Sequence, residues 1–251
     1  MYCFKADLHI HTVLSPCGDL EMSPNAIVQR ALEQQMDMIA ITDHNSTRQA
    51  KVVRDIAQPL GLKVFCGAEV TTKEEAHCLA LFDDDLALDQ FQVYLDDHLP
   101  EVKNDPQNFG YQVAVDENED IVFEEERLLI SALDQSVDEI EQKVHQLGGL
   151  FIPAHVDKFK FSIIQQLGFL PPDLPVDALE ISFRETEAHY KASNPYLKNY
   201  PFIQNSDAHM LEQIGTTYTC YYLEHRTLDE IRMALKQMNG RLIQNKDNCE
   251  K

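Results

Sequence analysis

His9 and His11 stand two residues apart in the apolar stretch ADLHIHT. On a β-strand both imidazoles leave one face about 6.6–6.8 Å apart and can converge on one cation. Asp7 lies on that face too. Asp207 and His209 repeat the spacing after PFIQN, offering a hard oxygen and a borderline nitrogen ligand. His44 follows MIAITD, Glu69 closes VFCGAE, His77 opens AHCLALF and His155 closes GLFIPAH. These six of the ten histidines sit at strand termini, whereas His98, His145, His189 and His225 fall in helical or loop contexts. Chance placement does not sort histidines so, and a carboxylate among imidazoles is the usual bridge between ions. The set reads as the active site of a metal-dependent hydrolase.

Positioning such a set requires strands that end on one rim. Short apolar segments alternate with amphipathic ones, as in a βα barrel or related parallel sheet whose strand carboxyl ends host the chemistry. Ser23-Pro24 starts one helix, with the hydroxyl as cap and proline in the first turn. Ser136 and Glu139 form a capping box for another, ending near Gly148-Gly149. Strands follow at GGLFIPAH, DALEIS and PFIQNSDAH. Residues 83–134 break the rhythm and read as an acidic insertion with a hairpin turning near Glu117-Asn118; the last dozen residues read as a helix end and a loose tail.

With 251 residues and 44% of them hydrophobic, one large α/β domain can bury a real core. The net charge of −21 repels polyanions, so long nucleic acid is a disfavoured partner, although carboxylates that bind metal would soften that field. No signal peptide stands at the N-terminus and no run reaches the ~18 apolar residues of a membrane span, so a soluble cytoplasmic protein is expected. The six cysteines contain no CxxC pair and are expected as reduced thiols. No GxSxG elbow offers a protein nucleophile.

The ordered motifs (HxH at 9–11, TDH at 42–44, Glu69 ending a strand, the separated His77 and His155, and DxH at 207–209) resemble the polymerase-and-histidinol-phosphatase (PHP) superfamily from Asp7 to His209. The resemblance implies a distorted (β/α)7 barrel, here one domain over residues 1–251 with the insertion at about 83–134. It implies two or three divalent ions, Zn, Mn or Fe, and phosphoesterase activity. His9, His11, Glu69 and Asp207 would hold one ion; Glu69, His77 and His155 a second; His44 and His209 a third. Asp43 would orient an imidazole rather than bind metal. The third site takes a further ligand in such proteins, and Cys17, Asp19 or, more weakly, Glu21 stands near that position.

The ions would lower the pKa of a bound water for in-line attack on phosphorus and neutralise the departing oxygen. Arg184 after ALEISF, and Lys158 three residues after His155, would grip phosphate oxygens. Asn45 would donate its amide to substrate, and His189 would join the grip or protonate the leaving group. The expected substrate is a small phosphorylated metabolite or nucleotide. Alternatives are a nuclease on short oligonucleotides, a histidinol-phosphate phosphatase and a catalytically silent metal-binding regulatory module.

Overall fold

A computed structural model describes residues 1–246 and 249. The chain runs β1 (Tyr2–Ile10), α1 (Pro24–Glu33), β2 (Met38–Ile41), α2 (Ala50–Ala57), β3 (Lys63–Thr71), β4 (His77–Phe82), α3 (Asp85–His98), α4 (Pro106–Phe109), β5 (Val113–Val115), β6 (Ile121–Glu124), α5 (Val137–Gln146), β7 (Leu150–Pro153), α6 (Ile163–Leu167), β8 (Leu179–Ile181), α7 (Glu187–Ser193), β9 (Phe202–Gln204), β10 (Thr219–Leu223), α8 (Leu228–Leu235) and β11 (Leu242–Asn245). The expected helix starts are present. Ser23 accepts from the Ala26 amide, and Ser136 with Glu139 closes a reciprocal capping box.

Seven strands form one sheet in the order β11-β10-β1-β2-β3-β4-β7. Only β1, β2 and β3 pair in parallel within it; β10, β11, β4 and β7 pair antiparallel to their neighbours. The sheet therefore departs from a regular (β/α)7 repeat. The cause is local: residues 72–76 return β3 directly as β4, leaving no room for a crossover helix. A separate parallel pair, β8-β9, continues the curl. Backbone bonds from Asp177 to Phe151 and from Val156 to Glu180 tie it to β7, and a bridge between Ile10 and Ala208 ties it back to β1.

The concave side packs Leu8, Met38, Phe65, Leu79 and Ile152 against Ile231 and Leu235 of α8. On the convex side, Ile27, Val53, Phe91 and Ile140 of four helices cover Ile39, Val64 and Ala80. Phe65, Glu69, His77 and Leu79 share the concave face, with Thr71 opposite His77 and Glu69 opposite Leu79. Leu228 of α8 reaches Asp83, at the other end of β4 from His77. The helix thus plugs one end and leaves the His77 end for chemistry.

Residues 83–134 are less detached than their composition suggests. α3 buries Leu88, Phe91 and Leu95 in the main core. The expected hairpin exists as β5-β6 and docks through reciprocal bonds between Gln49 and the Val115 backbone. The C-terminal region also corrects the expectation: residues 242–245 form β11 rather than a helix end, because they pair with β10. The rest of the expected tail, at 247–248 and 250–251, lies outside the described residues. Returning along β10 also brings Cys249 to Cys220, and the two are joined as a disulfide with Cα atoms 6.1 Å apart. Sequence spacing alone cannot show such a tertiary approach; Cys3, Cys17, Cys66 and Cys78 remain free. No helix among the described residues is long and apolar enough to cross a membrane.

Candidate metal centre

Glu69 is the hub. Its Oε1 lies 3.0 Å from His77 Nδ1, 3.1 Å from His155 Nε2 and 3.4 Å from His9 Nε2. Its Oε2 lies 3.2 Å from His44 Nδ1 and 3.4 Å from His11 Nε2. Asp207 Oδ1 is 3.3 Å from His9 Nε2 and 3.5 Å from His11 Nε2. His209 stacks on His11 with ring centroids 4.1 Å apart. Residues from six separate strand ends and loops thus meet in one cluster, although β1 to β9 span nearly the whole chain.

The donor set fits divalent ions. Ligands at bonds of about 2.0–2.2 Å on one tetrahedral or octahedral ion stand about 2.8–3.6 Å from each other. The contacts between donors here, from the 3.2 Å between His9 and His11 Nε2 to those around Glu69, fall in that interval. One buried ring nitrogen, His155 Nδ1, has no hydrogen-bond partner among the described residues, and His44 Nδ1 faces Glu69 Oε2 at 3.2 Å without the alignment of a hydrogen bond. Three groupings could each hold an ion: His9, His11 and Glu69; His44, Glu69 and His77; and His11, Cys17, His44 and His209. Cys17 therefore stands with the third group. Asp19 is turned to its own loop, where its carboxylate accepts from the Glu21 amide at 2.9 Å.

Outer partners fix which ring nitrogen faces the cleft. His9 Nδ1 lies 3.1 Å from each oxygen of Glu180, which also accepts from the Asn205 side chain and the His155 backbone. With the proton on Nδ1 directed at that carboxylate, His9 Nε2 is left as a lone pair for the cluster. His11 Nδ1 is held the same way by Ser15 Oγ at 3.0 Å, and Ser15 donates to Asp43 at 2.6 Å. Asp43 also takes the Thr12 amide and hydroxyl, so it steers His11 through serine rather than by touching the ring. Asp7 accepts from the backbone of Ser206 and Gly215, pinning β1 to the loop that carries Asp207. Two of the gathered residues, His155 and Asp207, hold φ of +31° and +54°, a left-handed conformation that non-glycine residues adopt where surroundings enforce it.

The electrostatics are those of a compact charge cluster. Burial would push the Glu69 carboxyl up, but His77, His9 and His44 hold it well below the usual range. Burial would likewise pull His9 down, yet Glu180, Asp207 and Glu69 raise it well above its ordinary value. His44 and His209 go the other way: desolvation lowers His44 well below and brings His209 to about 4. Such opposed shifts among neighbouring groups make the cluster a candidate functional site.

The expected substrate contacts fare unevenly. The Lys158 ammonium meets Asp207, and Lys158 and Arg184 both line a cleft of about 680 Å³ together with His155, Asp207 and His209. Asn45 is consumed inside the protein: its amide donates to the Leu129 and Ser131 carbonyls, and its oxygen accepts from the Thr71 amide. His189 is exposed on α7 and pairs with Glu185 at 2.7 Å, while the buried residue of that helix is Tyr190. Glu180, Ser15 and Asn205 escaped sequence reasoning. For Glu180 a signal exists, an acid between Leu179 and Ile181 in an apolar strand.

Residues 7–166 match the PHP domain family, and residues 197–239 match the family described as PHP-associated. An uncharacterized Bacillus subtilis protein is 32% identical over 112 residues, covering 41% of this chain and 28% of that protein. The 5'-3' exoribonuclease Rnm of Escherichia coli is 36% identical over 78 residues, covering 30% of this chain and 26% of that enzyme. This chain thus aligns with only a minor part of either relative's length. Among solved structures, the lesion-specific endonuclease Q of Pyrococcus furiosus superposes with a TM-score of 0.73 at 19% identity, over 96% of this chain and 58% of that one. At that identity the likeness speaks for the fold.

Proposed function

This chain belongs to the PHP domain family, and from that premise we propose that it is a metal-dependent phosphoesterase acting on a small phosphorylated metabolite or nucleotide. The observation that carries the reading is Glu69 in contact with five imidazoles from distant parts of the chain.

His9, His11, Glu69 and Asp207 would hold one ion, Glu69 with His77 and His155 a second, and His44 with His209 and Cys17 a third. Bound there, divalent ions would supply activation of a water and polarisation of a phosphoryl group. The chain's own part is orientation and charge. Glu180 and the Ser15-Asp43 pair keep His9 and His11 turned with Nε2 inward. Lys158 and Arg184 offer fixed positive charge to phosphate oxygens at the cleft wall, with Arg184 able to grip two at once. In-line displacement at phosphorus then needs no protein nucleophile.

A nuclease on short oligonucleotides is the second reading, supported by the resemblance to the Escherichia coli exoribonuclease and by the endonuclease fold. Metal analysis of the purified protein, with hydrolysis of p-nitrophenyl phosphate and its bis-ester, tests both. Bound metal with turnover that chelation abolishes is expected, the monoester favouring the first reading and the bis-ester the second. His9→Ala should abolish that turnover with an unchanged circular dichroism spectrum. No metal and no turnover would remove the proposal.

A further inference from the structure

The loop after His155 reads Asp157-Lys158-Phe159-Lys160-Phe161, and the turn after β8 reads Ser182-Phe183-Arg184. In a chain of net charge −21, cations and phenyl rings therefore alternate on two neighbouring walls of the metal cleft. Phe159 is 83% exposed and Phe183 63%, and both line the cleft that contains His155, Asp207 and His209. The walls are fixed to each other: Asp157 Oδ1 accepts from the Ser182 amide at 2.7 Å and Oδ2 from its hydroxyl at 2.5 Å. The Arg184 guanidinium lies 5.3 Å from the Phe183 ring centroid, so charge and ring are presented together. On the same loop Phe161, also exposed, lies flat on His77, with centroids 4.7 Å apart and an interplanar angle of 8°.

Large apolar rings held at the mouth of a polar cluster mark a binding surface, because water is a poor neighbour for them. A ligand that suits this one is flat, apolar on its faces and anionic at one end. A sugar phosphate has the charge without the flat face. Resting on the phosphoesterase reading, we propose that Phe159 and Phe183 form a base-stacking subsite, and that the substrate class is a nucleotide whose base lies on these rings. Its phosphate then falls between Lys158, Arg184 and the cluster. Stacking of one base on such rings changes affinity about 5- to 150-fold.

The test compares adenosine 5'-monophosphate with ribose 5-phosphate, in which a hydroxyl stands in place of the base, on the metal-loaded full chain. Calorimetric titration should give a dissociation constant about 5- to 150-fold lower for the nucleotide, and the ratio should fall close to one in Phe159→Ala/Phe183→Ala. Phe159→Trp should preserve or widen it. Both rings are exposed, so the substitutions spare the core. Equal affinities in the unaltered protein, or a ratio the double substitution leaves intact, would overturn the subsite. Phosphate release from the same two compounds, and cleavage of a dinucleotide against its abasic counterpart, then separates free nucleotide from oligonucleotide end. Base-selective binding without turnover of any of these esters would keep the subsite and refute the phosphoesterase reading.

Discussion

Glu180 faces His9 Nδ1 with both carboxylate oxygens at 3.1 Å, and both residues are buried. The acid lies on β8 and the imidazole on β1, elements 171 positions apart in sequence. Removing its charge while keeping its shape should loosen the ring without emptying the core. We expect Glu180→Gln to weaken metal affinity about 10- to 100-fold. Equilibrium dialysis against Zn and Mn measures it, and wild-type affinity would refute a positioning role for Glu180.

The third grouping includes Cys17 and omits Asp19. Cys17→Ala should therefore reduce the number of ions bound per chain, while Asp19→Ala leaves it unaltered. Elemental analysis of both variants decides the matter, and an unchanged count in Cys17→Ala would exclude the thiol as a ligand.

Metal binding should release protons. Without a cation His9 is held well above its ordinary value by Glu180, Asp207 and Glu69, and His11 is raised as well, so an ion binding there competes with protons. Affinity should weaken as pH falls. Calorimetric titrations in buffers of different ionisation heat would count the protons; no release at pH 7 would show that neither imidazole is displaced from its protonated form.

Away from the site, His145 joins α5 to the segment before β8: its Nε2 lies 2.8 Å from Asp177, whose carboxylate also accepts from the Phe151 amide. Asp177 chiefly, with Glu141, raises His145 above its ordinary 6.5. A raised histidine stabilises the fold fully below pH 6.5, and the contribution fades as pH climbs through the higher folded value. His145→Gln should thus cost about 1 kcal/mol at pH 6 and much less at pH 9. Urea unfolding at the two pH values tests the sign; an equal or larger loss at pH 9 would contradict it.

The sequence alone determined which residues could ligate metal and that strand ends must deliver them, because imidazoles beside apolar runs at two-residue spacing are a local pattern. Helix starts at Ser23 and Ser136 were legible for the same reason, since a cap is satisfied within three residues. Only the tertiary structure decided the partners. Glu69 becomes the hub because the concave face carries it next to His77, and Glu180 becomes the support of His9 because the sheet curls until β8 and β1 approach. Asn45 shows the reverse: beside His44 in sequence, it is claimed by the Leu129 and Ser131 carbonyls. Long-range contacts leave no periodic trace in a single chain, so the candidate donors were readable and the order in which they meet was not.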